Sequence, residues 1–198
     1  QEALIARAEI LFNRKHFDQA LTDYKQLKAK ATTTERRQLA ATGMLRSAAM
    51  MQDDVETIAA ATDMLAEAKL TPELRNEALY FRAKAYLNQQ ADKKAMNDLQ
   101  ALAKDTRTLY GAEAKYLVAL QLYKAHEYAA AEKEILNFIE QSTPHAYWLA
   151  RSFILLSDVY VAMDKKLDAR QYLLSLQQNY HADDDIEQMI NERLEKLK

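Results

Sequence analysis

The sequence predicts an all-α protein, and composition and periodicity both lead to this class. The chain has 198 residues with only 2 Gly and 2 Pro, so few positions favour a sharp turn or interrupt a helix. Ala, Leu, Lys, Glu and Gln are frequent, and these are strong helix formers. The apolar fraction of 49% and the charged fraction of 28% are ordinary for a globular chain with a buried core.

Charge and cysteine content exclude several functional classes. The net charge of −2 argues against a partner with a phosphate backbone, which would require a basic surface. The absence of Cys rules out disulfides, thiolate zinc sites and cysteine nucleophiles. The longest apolar run, YLVALQLY, is far shorter than the ~20 residues that a membrane-spanning helix needs. Because the chain begins at Gln1 and not at Met, we expect it to be part of a longer product.

A stripe of apolar residues with its smallest member in the middle recurs along the chain. In the stretch KHFDQALTDYKQL, Phe17, Ala20, Tyr24 and Leu27 share one helical face. Steps of 36 to 38 residues align Ala20 with Ile58, Ala95, Ala131 and Ala169. The position seven residues later is always apolar, namely Leu27, Leu65, Leu102, Phe138 and Leu176. This recurrence predicts about five repeats that each contain such a helix.

A second helix precedes the first stripe in each repeat. Small residues recur at Ala8, Ala83, Ala119 and Ser157, and larger apolar residues recur three positions later at Leu11, Tyr86, Leu122 and Tyr160. The second repeat departs from this spacing, because Arg46 falls where a small residue is expected and Gly43 comes three residues earlier. Short polar turns join the two helices, with the sequences NRKH, MQDD, NQQAD, KAHE and MDKK.

The repeat boundaries carry helix-start signals. Thr71-Pro72 and Thr143-Pro144 each predict a capping threonine before a proline at the first helical position. The predicted repeats cover residues 1–33, 34–70, 71–106, 107–142 and 143–181. Residues 182–198 predict an amphipathic capping helix, with Asp183 to Asp185 at its start.

The aligned positions resemble the tetratricopeptide repeat (TPR) family over nearly the whole chain. The residues that carry the resemblance are Ala8, Leu11, Phe17, Ala20, Tyr24 and Leu27, with Ala83, Tyr86, Ala95 and Leu102, and with Ala119, Tyr128, Ala131 and Phe138. The resemblance implies a right-handed α-solenoid of about five helix-turn-helix repeats. A period longer than the usual ~34 residues is similar to that of bacterial cell-envelope TPR proteins. That similarity implies the bacterial periplasm or envelope, with the cytoplasm left open.

The resemblance also implies a site, because the first helix of each TPR unit lines a concave surface. Tyr80, Tyr116 and Tyr123 would then form an aromatic row suited to a helix or an extended peptide. The candidate groove residues are Phe12, Asn13, Tyr80, Lys84, Asn88, Tyr116, Tyr123 and Lys124. The alternative is that packing between neighbouring helices buries some of these tyrosines.

The function that the resemblance implies is a non-enzymatic scaffold for a protein or peptide partner. The alternative is a structural or self-associating terminal segment of a longer TPR solenoid in a bacterial envelope complex, and a homo-oligomer stays open. We expect no catalytic, metal or cofactor site, because His16, His126, His145 and His181 are widely separated and HEYAA lacks the second His of a zinc motif. Trp148 is expected to pack the start of the fifth repeat near Phe138.

Overall fold

Eleven helices and no strands make up the computed structural model, which describes residues 1–198. The helices are α1 (Glu2–Asn13), α2 (Phe17–Lys30), α3 (Thr34–Met50), α4 (Asp54–Leu65), α5 (Pro72–Asn88), α6 (Asp92–Leu102), α7 (Leu109–Lys124), α8 (Tyr128–Glu140), α9 (Ala146–Ala162), α10 (Lys166–Asn179) and α11 (Ile186–Lys196). Helices α1 to α10 form five consecutive pairs, each with a first and a second helix. None of the eleven has the length and hydropathy needed to span a bilayer.

Two compact units divide the chain, the first covering residues 1–98 and the second residues 99–198. The core of the first unit includes Leu27, Leu45 and Met64, all fully buried, and Phe81 packs against it. In the second unit one core cluster joins α9, α10 and α11 through Ile154, Leu173, Ile186 and Ile190. Burial of such side chains contributes most of the stability of an amphipathic helix in a protein.

Each helix pair reverses direction through one residue with a left-handed backbone. These residues are Lys15, Gln52, Gln90, His126 and Asp164, with φ between 57° and 64°. The two backbone hydrogen bonds of a Schellman motif close every reversal. In the first pair, for example, the His16 N–H donates to the Leu11 carbonyl over 2.9 Å, and the Lys15 N–H donates to the Phe12 carbonyl over 2.9 Å.

The reversals fix the true register of the repeats. Five residues after each reversal lies a buried residue, and these are Ala20, Thr57, Ala95, Ala131 and Ala169, none more than 3% exposed. The alignment of Ile58 with Ala20 was therefore displaced by one residue. The same shift replaces Leu65 by Met64 and Arg46 by Leu45, both of which are fully buried.

Gly43 in α3 provides the space that the Tyr24 ring of α2 occupies. A Cβ atom built on Gly43 would lie 2.5 Å from three atoms of that ring. The next pair of facing helices reverses the sizes, since Ala61 of α4 stands at the position of Tyr24 and Phe81 of α5 at that of Gly43. Large and small residues are thus exchanged across equivalent helix contacts while the close packing is kept.

Threonine caps begin several of the helices. The Thr33, Thr71 and Thr108 hydroxyls accept hydrogen bonds from backbone N–H groups three residues later, so the predicted Thr71-Pro72 start is confirmed. The Thr143-Pro144 prediction is wrong, because α9 begins only at Ala146. The Thr143 hydroxyl donates instead to the Thr106 carbonyl over 2.7 Å and accepts from the His145 N–H, which holds the α8–α9 connection in another conformation.

The last helix, α11, packs against both α9 and α10. Its apolar side is buried through Ile186 and Ile190, and its first turn is capped by Asp184, which accepts a hydrogen bond from the Ile186 N–H over 3.0 Å. A bidentate ion pair joins α11 to α9, because the Arg193 guanidinium donates to both carboxylate oxygens of Asp158 over 2.8 and 2.9 Å.

We predict that Gly43→Ala lowers the free energy of unfolding by about 1–3 kcal/mol, since the new methyl group would overlap the Tyr24 ring. At an open helical position the same substitution would raise that free energy by about 1 kcal/mol. Denaturant unfolding measures the difference. Adding Tyr24→Leu, the residue type that two other pairs carry there, should recover part of the loss. A stable Gly43→Ala protein would contradict the packing described.

We predict that Gln90→Gly raises the free energy of unfolding by about 1 kcal/mol. Gln90 is exposed and has a φ of 58°, where glycine avoids the steric cost that a Cβ atom imposes. Gln171→Gly is the matched control, because Gln171 is exposed within α10 and glycine should destabilise a helix there. Thermal unfolding that moves both variants in the same direction would contradict this prediction.

Candidate functional site

Two clefts lie in the first unit, and the larger runs over α1, α3 and α5. This first cleft has a volume of about 460 Å³. It is lined by Glu9, Phe12, Tyr24, Glu35, Gln38, Leu39, Thr42, Gly43, Arg46 and Leu74. Because residue 43 is a glycine, the edge of the buried Tyr24 ring reaches the floor of the cleft. Phe12, Leu39 and Leu74 therefore surround an apolar floor, with charged groups around it.

The second cleft lies between α3 and α5 and is smaller, at about 210 Å³. It is lined by Ala49, Gln52, Asp54, Thr57, Tyr80, Phe81, Lys84, Ala85 and Asn88. The Tyr80 ring meets Phe81 edge-on at 5.4 Å, and the Lys84 ammonium lies 5.9 Å from the centre of the Tyr80 ring. The Asn88 amide donates to the Asp54 carboxylate over 3.0 Å, which connects the end of α5 to the start of α4.

The third cleft belongs to the second unit, where α7, α9 and α11 meet the start of α10. Its volume is about 450 Å³. It is lined by Tyr123, Ser157, Asp158, Val161, Lys166, Glu192, Arg193, Lys196 and Leu197. Burial, followed by the nearby Asp158 carboxylate, raises the pKa of Tyr123 above its usual value.

The predicted groove residues are distributed over these clefts. Phe12 lines the first cleft, Tyr80, Lys84 and Asn88 line the second, and Tyr123 lines the third. The structure thus brings Tyr80, Lys84 and Asn88 together in one place. Asn13 and Lys124 are exposed at the carboxyl ends of α1 and α7 and line none of the three clefts.

Tyr116 is buried, with only 6% of its surface exposed. Its ring packs against Trp148 at 5.5 Å, and the Arg151 guanidinium lies 5.1 Å from the ring centre. An Arg151 N–H also donates to the Tyr116 hydroxyl over 3.1 Å. Of the two interpretations of the inner tyrosines, packing between helices therefore applies to Tyr116. Trp148 is part of the same packing and also meets Tyr147 edge-on at 5.0 Å.

Both arginines that line the three clefts are engaged in ion pairs. Arg46 in the first cleft donates to both oxygens of Glu77, over 2.5 and 2.9 Å. Arg193 in the third cleft is held by Asp158, and that hydrogen bonding raises the pKa of Arg193. The charged side chains that form no ion pair differ in sign between the first cleft and the third cleft.

The first cleft has a carboxylate without an ion pair and the third has ammonium groups without one. In the first cleft this carboxylate is Glu9. The Glu35 carboxylate is engaged at the start of α3, where hydrogen bonds with its own backbone and with Thr33 lower its pKa, as do the charges of Arg37 and Lys69. Lys166 and Lys196 form no ion pair in the third cleft, and both are exposed. The two clefts therefore differ in the sign of their available charge.

Three of the four histidines, His126, His145 and His181, make hydrogen-bond contacts within the second unit. His126 Nδ1 is 2.7 Å from the Tyr128 hydroxyl, and His145 Nε2 is 2.9 Å from the Arg107 carbonyl oxygen. No three His, Asp or Glu side chains come together in a geometry that would hold a metal ion. The residues that line the three clefts offer apolar and charged groups for non-covalent contacts with a ligand.

Sequence reasoning missed Leu39, Ser157 and Arg193 as cleft residues. Leu39 was hidden by the displaced register of the second repeat. Ser157 was recognised only as a small packing residue, and Arg193 belongs to the helix that was interpreted only as a cap. The repeat spacing identified Ser157 as a small residue at a packing position. A pattern of small residues does not distinguish a hydroxyl group from a methyl group, so the pattern could not indicate a polar position.

Comparison with known proteins supports the fold. No protein-family model matches the sequence, and no curated protein is significantly similar to it. A crystal structure of MamA is similar over 96% of this chain and 95% of that one, with a TM-score of 0.67 and 18% sequence identity. A tetratricopeptide repeat protein from Parabacteroides merdae is similar over 96% of this chain and 83% of that one, with a TM-score of 0.48 and 14% identity.

At this level of identity the likeness to MamA bears on the fold alone. The paired helices, their reversals and this likeness together confirm the predicted architecture. The chain has an all-α, TPR-like fold of helical repeats.

Proposed function

We propose that the chain is a non-enzymatic scaffold that binds a protein or peptide segment in the clefts of its first helices. The first cleft carries this proposal. Its apolar floor is open to solvent at Leu39, which is 36% exposed, and is flanked by the Glu9 and Glu35 carboxylates, of which Glu9 forms no ion pair. An apolar centre with a charged rim is the usual composition of a protein-binding surface.

The spacing of the first and second clefts supports a peptide-like ligand. Residues of α3 line both, from Glu35 to Arg46 in the first cleft and at Ala49 in the second. The centre of the first set lies more than two helical turns from Ala49, or ~13 Å along α3. Apolar side chains about eight residues apart on one face of a partner helix, ~12 Å along its axis, have nearly this separation. One amphipathic partner helix could therefore place a side chain in each cleft.

The polar groups of these clefts support a binding role more than a catalytic one. Arg46 is bound to Glu77, and Asn88 is bound to Asp54, so both side chains stabilise contacts between helices. Neither cleft combines a nucleophile with a neighbouring histidine base. The chemistry that the lining residues offer is apolar contact and charge pairing.

The test is a selection of peptides from a random display library on the full chain. We expect the selected peptides to carry apolar residues at helical spacing, and Leu39→Glu to weaken their binding at least ~10-fold because a carboxylate would enter the apolar floor. Leu167→Glu is the matched control, since Leu167 is 81% exposed on α10 and lines none of the clefts. Fluorescence anisotropy with the synthesised peptides measures the affinities.

Two results would contradict this proposal. One is a selection that yields no binding peptide, and the other is a set of peptides whose affinity is changed by Leu167→Glu but not by Leu39→Glu. Circular dichroism and thermal unfolding of both variants would show that each remains folded, so that a loss of affinity reports on the cleft.

One observation favours the alternative of a self-associating segment. Met50, Met51 and Val55 around the α3–α4 reversal are 55%, 40% and 71% exposed, and they form an apolar edge. If this edge mediates self-association, light scattering will show a mass that rises with concentration, and Val55→Glu will reduce that rise. A monomer at all concentrations would contradict this alternative.

A further inference from the structure

Three exposed apolar side chains surround the reversal of the second helix pair, and the fold does not require them to be apolar. Met50, Met51 and Val55 are 55%, 40% and 71% exposed. The first and third pairs close with the same backbone hydrogen bonds and have polar residues at the equivalent positions. These residues are Asn13, Arg14 and Asp18 in the first pair, and Asn88, Gln89 and Lys93 in the third. Exposed apolar groups of this kind indicate a contact with another molecule.

The reversals of the first three pairs lie at one edge of the first unit. At the opposite edge the Gln1 side chain bonds the Lys30 carbonyl over 2.7 Å and Arg36 over 2.9 Å, which brings together the start of α1, the end of α2 and the start of α3. The Gln38 amide donates to the Lys69 carbonyl over 2.8 Å, so the α4–α5 connection lies there too. The other ends of these helices are therefore neighbours. This reversal edge comprises residues 13–18, 50–55 and 88–93.

The charge of the reversal edge changes sign between the first and the second pair. Arg14 and Lys15 are exposed, form no ion pair and outweigh Asp18 by one charge. The second reversal has Asp53 and Asp54, which also form no ion pair. Each of these two carboxylates accepts one hydrogen bond within the fold, at its Oδ1 atom, and keeps its Oδ2 atom available. Opposite charges thus lie about one helix width apart, or ~10 Å.

A surface with positive and negative charge side by side is complementary to a second copy of itself. If a two-fold axis passes between the first and second reversals, the first reversal of each copy faces the second reversal of the other. Arg14 and Lys15 then meet Asp53 and Asp54 on both sides of the axis. An arrangement with the two second reversals face to face would bring four aspartates together, and like charges across an interface are unfavourable.

The first reversal also offers a better partner than the third does. Phe17 is half-buried there, with its ring 5.2 Å from that of Phe12, and gives an aromatic surface on which methionine side chains pack well. The Arg14 guanidinium can bind a carboxylate through two parallel hydrogen bonds. Residues 88–93 of the third reversal include neither an arginine nor an aromatic residue.

We propose that the chain forms a two-fold dimer through the reversal edge of its first unit. Arg14 and Lys15 of each copy pair with Asp53 and Asp54 of the other, and the apolar side chains of the second reversal pack beside Phe17. This inference goes beyond the scaffold proposal, which does not require a dimer, and it gives the self-association alternative a defined partner surface. The positive and apolar residues of this interface line none of the three clefts, so dimer formation and peptide binding are separate properties.

The test is sedimentation velocity of the full chain over a range of concentrations. The first variant, Arg14→Glu with Lys15→Glu, makes both reversals negative. The second, Asp53→Asn with Asp54→Lys, makes both positive, and asparagine keeps the helix cap that Asp53 provides. Each variant alone should have a dissociation constant at least ~10-fold above that of the unchanged chain. An equimolar mixture of the two should associate again, because opposite charges then face each other on both sides of the axis.

Two further variants are controls for this test. Lys93→Glu reverses a charge at the third reversal, where Lys93 is exposed, and should leave the dissociation constant unchanged. Leu39→Glu, which we expect to weaken peptide binding in the first cleft, should leave it unchanged as well. Circular dichroism of all variants shows that each remains folded. High salt should weaken the association of the unchanged chain, because exposed charges carry part of it.

Several results would overturn the dimer while leaving the scaffold proposal intact. These are a monomer at all concentrations, an association that neither charge-reversed variant weakens, and a mixture of the two variants that does not associate. An association that Lys93→Glu weakens and the first variant does not would place the axis between the second and third reversals, which is also contrary to this inference. A failure of peptide selection, by contrast, concerns the clefts alone and leaves the dimer standing.

Discussion

The left-handed residue that closes each helix pair determines the register of the rest of the repeat. Its two backbone hydrogen bonds fix where the first helix ends and the second begins, and the buried residue five positions later follows from that geometry. At Ala20 that residue is fully buried, so the two helices can approach closely. Because backbone groups form these bonds, Lys, Gln, His and Asp can all occupy the position. A chain with only 2 Gly can therefore contain five such reversals.

Paired helices and their period could be predicted because apolar and small residues recur over the whole chain. The register of the second pair could not. Thr57 and Met64 form the buried stripe, but Ile58 and Leu65 beside them are more apolar, so hydropathy favoured the wrong stripe. Only the reversal at Gln52 distinguishes the two, and glutamine has no sequence preference that announces a positive φ.

Some of the residues that line the clefts could be named from the sequence, but their exposure could not. The resemblance to TPR proteins implied that Tyr80 and Tyr123 lie on the inner faces of first helices, and each lines a cleft. It could not show that Tyr116 is buried, because that depends on Arg151 and Trp148 in a later helix. Contacts between helices far apart in sequence decide such exposure, and periodicity within one helix contains no information about them.

Equivalent positions in the repeats exchange size and polarity without changing the backbone, and this is how one architecture obtains different clefts. Tyr24 against Gly43 brings an aromatic edge to the floor of the first cleft, whereas Ala61 at the position of Tyr24 leaves Phe81 to line the second. Ser157 is the same kind of exchange, a hydroxyl in place of a methyl hydrogen at a packing position. The Oγ atom of Ser157 stays buried, so this exchange changes the polarity beneath the third cleft and not the surface that a ligand would meet. Exchanges of size, as at Tyr24 and Gly43, therefore change the lining of a cleft more than an exchange of polarity at a buried position.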